Sequence, residues 1–415
     1  MRKRRALVSC GRQALLGLAA ALLAVAVSGA SASGEPPRLL RVARVTGSTV
    51  EEPTLAGREI VWGEDRPDGS ISVRATRVGG VARTLFRAAR PAVPSDASND
   101  PSFRVSVAHL IGQIAGSRSR IAFLRLATLV KEPRCRPGCG ASTLFEPLFN
   151  ELWIQASGGH VRRIAGGVPT QQGPGCRRIR PTAIDLSGVN VLYAERIETC
   201  QGDAADSFRE SRLILVAGRS PAQLILRSQA PLGPVAIAGR FAAWGSDVDS
   251  EPGFRSGREA MVTVYDLKSR RVLYRVGAGA LQSSGSLSFD LQPNGTIAIA
   301  AIRMASGCLP AMVAWASRAA PRPHVLRVGA VGTYLRIAQN LILLSAPDVS
   351  CGHVARLTLV NLQGRLTRLA SFSDSSNPPA FLNPEVDFDG HRFAIAVTRS
   401  GPPQETTSIY VGTAQ

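Results

Sequence analysis

From residue 50 onward the chain repeats one hydrophobic pattern: a tight turn, an apolar strand, then further short strands, four strands to a unit. The turn and the strand after it recur as Leu55-Ala56-Gly57 before Glu59-Ile60-Val61-Trp62 and as Leu186-Ser187-Gly188 before Val191-Leu192-Tyr193. They recur again as Ile237-Ala238-Gly239 before Phe241-Ala242-Ala243-Trp244, as Pro293-Asn294-Gly295 before Ile297-Ala298-Ile299, and as Phe388-Asp389-Gly390 before Phe393-Ala394-Ile395. A glycine turn between apolar runs reads as a β-hairpin. The second strands start near Arg58, Arg120, Asn190, Arg240, Thr296, Leu341 and Arg392, six intervals averaging about 56 residues.

Two further strands follow each of the first six hairpins, for example Ser72–Thr76 then Ala82–Phe86, and Met261–Asp266 then Val272–Val276. Seven units of four strands predict an all-β, single-domain β-propeller over residues 33–415. The seventh unit ends at its third strand, Ser408–Val411, so Leu39–Val45 is expected to supply the missing partner and close the ring. Two stretches lengthen the average unit, around Ala88–Asp100 and Lys131–Asn150. The first is rich in proline, alanine and serine, the second in cysteine, proline and glycine, and both read as surface loops.

The turn followed by an apolar strand resembles the repeat of TolB-like propellers, with Asp389-Gly390-His391-Arg392-Phe393-Ala394 nearest to that signature. The other copies lack its aspartate. The resemblance implies a fold and no particular chemistry.

The first 32 residues carry Arg2, Lys3, Arg4, Arg5 and Arg12, then an apolar run from Ala14 to Val27, then Ala30-Ser31-Ala32. This predicts a signal peptide cleaved after Ala32 and a secreted or cell-envelope protein with no membrane span. Arg4-Arg5 leaves twin-arginine export open beside general secretion. Cys10 precedes the apolar run, the wrong order for a lipid attachment site. Loss of the signal lowers the formal charge from +19 to about +14, carried almost wholly by arginine. Those arginines are spread through every unit, unlike the basic stripe of a nucleic-acid reader, so the expected partner is a protein or an anionic envelope polymer.

Six cysteines remain after cleavage, all in loops between units or between second and third strands, which in a propeller share one face. Loop stapling by Cys135–Cys139, Cys176–Cys200 and Cys308–Cys351 is expected, because export permits disulfides and the spacings form no zinc motif. Near the central channel, Asp185 and Asp387 each stand three residues before a turn glycine, with Asp290 and Arg336 at looser equivalents. Placed at the mouth of the stapled face, these four could hold a cation, a sugar or a basic peptide group, or could simply order channel water. Asp247, Asp249 and Glu251 alternate as calcium ligands can, but Pro252 and Gly253 break the EF-hand pattern, and a solvated acidic loop is the plainer reading. Trp62, Phe123, Tyr193 and Trp244 occupy equivalent second-strand positions and are expected to pack between blades.

Nucleophile-elbow, paired-histidine and phosphate-loop motifs are missing from the sequence, so no catalytic residue, metal or cofactor is assigned. The expected role is that of a secreted monomer binding a protein or envelope polymer through its stapled loop face. The alternative is a propeller enzyme of lyase or glycosidase type acting at the channel mouth, where two carboxylates from separate blades would leave no linear motif.

Overall fold

The computed structural model describes residues 39–95, 101–134, 142–156, 159–167, 176–199, 208–246, 261–277, 287–301, 311–328, 334–347, 354–373, 381–400 and 405–414. The 28 strands form seven four-stranded antiparallel sheets, a seven-bladed β-propeller. Blade 1 spans 49–88, blade 2 103–166, blade 3 177–228, blade 4 232–277, blade 5 287–328 and blade 6 334–373. Blade 7 takes three strands from 381–413 and its outermost from Leu40–Thr46, which pairs with Thr406–Thr413 as Leu40↔Val411 through Thr46↔Thr406. The N-terminal strand thus closes the ring. No helix among the described residues is long and apolar enough to cross a membrane.

The hairpin glycines do the work their positions suggest: Gly57, Gly188 and Gly239 have φ of 62°, 59° and 59°, a left-handed conformation that a Cβ disfavours. In blade 6, Gln339 and Asn340 take that conformation without glycine, at 51° and 64°.

Packing is between blades rather than around one centre. Each of the seven seams holds its own apolar cluster, built from the facing sides of adjacent sheets. Trp62 packs in the seam of blades 7 and 1, Phe123 in that of 1 and 2, Tyr193 in that of 2 and 3, and Trp244 in that of 3 and 4. All four aromatics are core residues, with Trp62 1 % exposed.

Blade 2 corrects one expectation. Both described ends of the stretch Lys131–Asn150 are strand, residues 131–133 and 144–150: Arg120–Pro133 and Leu144–Ala156 pair from Arg120↔Ala156 to Lys131↔Leu144. Pro147, one of the prolines of that stretch, sits where the register shifts by one residue, a bulge that tolerates a missing N–H. An eighth cluster of Val107, Ala127, Leu129 and Phe149 supports the extension, giving it apolar surface to bury.

Candidate functional site

The innermost strand of each blade is an edge strand, so every second N–H points into the channel without a ladder partner. Side chains from the preceding blade answer those groups. Asp185 Oδ2, on Arg177–Ser187 of blade 3, accepts the N–H of Ile237 in blade 4 at 2.6 Å. Asp290 Oδ2 of blade 5 accepts that of Ile337 in blade 6 at 2.8 Å, and Asp387 Oδ2 of blade 7 accepts that of Leu55 in blade 1 at 2.7 Å. Ile237, Ile337 and Leu55 each stand two residues before a turn residue of positive φ, so the three contacts are one repeated device.

Other side chains extend the device. Asp65 Oδ1 of blade 1 accepts the Ile111 N–H of blade 2 at 2.9 Å, and Gln113 Oε1 of blade 2 accepts the Ile184 N–H of blade 3 at 2.9 Å. Between blades 6 and 7 the link is an ion pair, Arg336 Nε to Asp387 Oδ1 at 3.3 Å, flanked by Tyr334 Oη donating to Glu385 at 3.3 Å. Six of the seven seams are bridged in this way. The seventh, between blades 4 and 5, carries Ala236 three residues before Gly239, the offset held by Asp185 in blade 3. There the Tyr274 hydroxyl of blade 4 donates instead to Gly295 O and Ala316 O of blade 5, at 2.5 and 3.2 Å.

Asp185, Asp290 and Arg336 line one central cavity of about 360 Å³ together with Glu51, Gln113 and Tyr334. Asp387 joins them through Arg336. The two aspartates lie close to the hairpin ends of their strands, whereas Glu51 and Tyr334 lie close to the opposite, starting ends. The carboxylates therefore form the inner end of the cavity rather than a mouth on the loop face. From residue 176 to Asp185 is nine residues of strand, or about 30 Å. Inner strands run from the loop face toward the hairpin face, which sets the depth of each of these residues in the channel.

Burial, reinforced by the charge of Asp290, pushes the Asp185 carboxyl up to about 7. Burial also raises Asp290, against the pull of the Arg336 guanidinium. Asp65 is pushed up to about 7 by burial, with the Ile111 N–H acting in the other direction. Sequence reasoning missed Gln113, Asp65, Glu51 and Tyr334. Gln113 stands three residues before Gly116, which ends its strand and is not a turn glycine, so the offset that marks Asp185 and Asp387 does not mark it.

Elsewhere, His109 is buried and held neutral, its Nδ1 at 3.0 Å from Gly69 O and its Nε2 accepting from Arg125 Nε at 3.0 Å. Burial sets its pKa below the ordinary histidine value. Arg125 also binds Glu151, which Trp153 and Arg163 complete, so this cluster is a saturated structural network. Cys176 is buried at the head of blade 3. Cys135, Cys139, Cys200, Cys308 and Cys351 lie outside the described residues, as do Asp247, Asp249 and Glu251. Among the described residues no group of three His, Cys, Asp or Glu side chains is arranged to hold a metal.

In sequence, the chain matches no protein-family profile and no curated protein. In structure, it is similar to the polysaccharide lyase Uly1, at 10 % identity and a TM-score of 0.51, covering 92 % of this chain and 100 % of that one. It is also similar to BamB from Moraxella catarrhalis, at 10 % identity and a TM-score of 0.39, covering 90 % and 99 %. A third is the β-propeller domain of the Trilobed protease from Pyrococcus furiosus, at 8 % identity and a TM-score of 0.42, covering 75 % and 81 %. At such identity these likenesses are of fold alone.

Proposed function

We propose that the chain is an exported, monomeric β-propeller of the TolB-like type that binds a protein or envelope polymer through its loop face and does not turn it over. The observation that carries this reading is the use made of the channel carboxylates. Asp185, Asp290 and Asp387 each accept a backbone amide from the next blade, so the groups best placed to act as an acid and base pair are committed to holding the ring. Binding is then left to loops carried on a rigid scaffold, where it concentrates in such folds. Export rests on the basic start, the apolar run and the Ala30-Ser31-Ala32 site of the first 32 residues.

One observation favours a second reading, a lyase or glycosidase at the cavity: Asp185, pushed up to about 7 beside Asp290, is an acid of the strength general catalysis uses near neutral pH. Crosslinking of the exported protein in culture, followed by non-reducing recovery and mass spectrometry, separates the two. A recurring partner linked through the loop face, unchanged in Asp185→Asn, supports the binder. Recovery of the protein alone, with polysaccharide cleavage that Asp185→Asn abolishes, replaces it with the enzyme.

A further inference from the structure

The face opposite the loops is built from the hairpins between first and second strands and between third and fourth strands. These are short: the first kind leaves two to five residues outside the strands and the second kind four to seven, so this face is a nearly flat disc. Its charge is one-sided. In these hairpins and the strand residues directly flanking them stand fourteen arginines and lysines against three carboxylates, an excess of eleven positive charges. That is most of the formal charge of +14 expected of the exported chain.

Every blade contributes, from Arg58 on blade 1 and Arg118 on blade 2 to Arg365 on blade 6, and blade 4 alone presents Arg240, Lys268 and Arg271. The three carboxylates are already engaged. Glu59 binds Arg83 at 2.8 Å, Asp389 binds Arg392 at 2.7 Å, and Asp266 binds Arg240 at 3.3 Å while accepting the Lys268 N–H at 2.9 Å. Exposed aliphatic side chains stand among the cations at two turns: Val78 and Val81 in one, the latter 94 % exposed, and Val189 in the other.

We propose that this hairpin face docks on an anionic phospholipid surface, leaving the loop face turned outward to its partner. A linear polyanion is read by a groove or a stripe of cations, and the cations here are instead distributed over all seven blades of a flat disc. A plane of phosphate headgroups is the partner with matching geometry. Guanidinium groups suit phosphate, and the exposed valines can enter the headgroup layer. Basic residues near an anionic bilayer contribute additively, so the whole face can hold the protein at low salt without any spanning segment.

The test is co-sedimentation of the purified protein with vesicles of phosphatidylglycerol and phosphatidylcholine in equal parts, with pure phosphatidylcholine alongside. Binding to the mixed vesicles alone is expected, with release at about 1 M salt, where the screening length falls to about 3 Å. Replacing three exposed cations on three blades, as Arg118→Gln, Lys268→Gln and Arg365→Gln, is expected to weaken binding on the order of 100-fold. Arg104→Gln, Arg134→Gln and Arg177→Gln, exposed at the opposite end, should leave it within about threefold. Equal binding to neutral vesicles, as the apolar run Ala14–Val27 would cause if retained, overturns the proposal. So does equal loss in both variants. Indifference to vesicles with retention on soluble polyphosphate would also overturn it, making the partner a polymer.

Discussion

Asp387 joins three blades, and Asp387→Ala measures what such a clamp contributes. The change removes the acceptor of the Leu55 N–H at 2.7 Å, of the Thr54 hydroxyl at 3.0 Å and of Arg336 at 3.3 Å. The Leu55 N–H faces inward from an edge strand and has no ladder partner to fall back on, so its loss costs about 2 kcal/mol. Arg336 can turn partly to channel water, being 24 % exposed and keeping Leu335 O, whereas the Thr54 hydroxyl is buried and simply loses its acceptor. Each adds no more than about 1 kcal/mol. The whole effect is about 3 kcal/mol, a small shift in melting temperature for a chain of this length, so urea denaturation is the better assay. Trp62 lies in the same seam of blades 7 and 1, and its fluorescence reports on the opening. Asp387→Asn, which keeps one acceptor oxygen, should recover half or more of the loss. A cost below about 0.5 kcal/mol for Asp387→Ala would show that the seam is held by its apolar cluster alone and that the clamp is incidental.

Three further outcomes are expected. Because the folded Asp185 carboxyl sits at about 7 and an unfolded one near 3.8, the fold holds the proton between those values; its stability contribution is fully present below about 4 and is lost as pH rises through 7. Asp185→Asn, which can still accept the Ile237 N–H, should therefore gain stability on the parent as pH rises from 5 to 8 in parallel urea titrations; a constant difference would reject the shift. Tyr274→Phe should destabilise by about 1–2 kcal/mol through loss of its donor to Gly295 O and Ala316 O, read by the same titration. The ladder of blade 3 ends on the rung Arg177↔Thr199, whose members adjoin Cys176 and Cys200; non-reducing peptide mapping should recover those two cysteines joined, and any other partner for Cys176 would refute the pairing.

The architecture was legible because its signals are local. Gly57, Gly188 and Gly239 stand where the chain needs a left-handed turn, the apolar strands that follow are buried on both faces, and Leu40–Thr46 was the natural partner for a seventh unit one strand short. Blade 2 misled for an equally local reason: Pro147 and the neighbouring cysteines and glycines look like a loop, and only the facing strand shows that a bulge absorbs the proline. Asp185 and Asp387 are marked by their offset from a turn glycine, whereas Gln113 precedes Gly116, a strand residue, and carries no such mark. Their role as amide acceptors was not legible at all. Which N–H an edge strand leaves open, and which blade faces it, depends on contacts 52 residues apart for Asp185 and Ile237 and 332 for Leu55 and Asp387.

The two kinds of joint give the ring a built-in asymmetry. Blades 4 and 5 are joined by a seam with Ala236 in place of a carboxylate, an apolar cluster running from Ala236 to Ala316, and Tyr274. On either side stand seams whose clamps are acids raised by burial, Asp185 toward blade 3 and Asp290 toward blade 6. Ionising a buried carboxyl costs desolvation that its backbone amide bonds only partly offset, so rising pH weakens the flanking seams and leaves the 4–5 joint unaffected. Opening of the ring should then begin at Ile237 and Ile337 while blades 4 and 5 stay together. Amide hydrogen exchange at pH 6 and 8, corrected for intrinsic rates, reads this at the Asp185 clamp: protection at Ile237 should fall relative to Ile297 and Val264, which lie within the 4–5 cluster. A uniform change across these three amides would mean that the ring opens as one unit and that the Asp185 seam is no weaker than the apolar one.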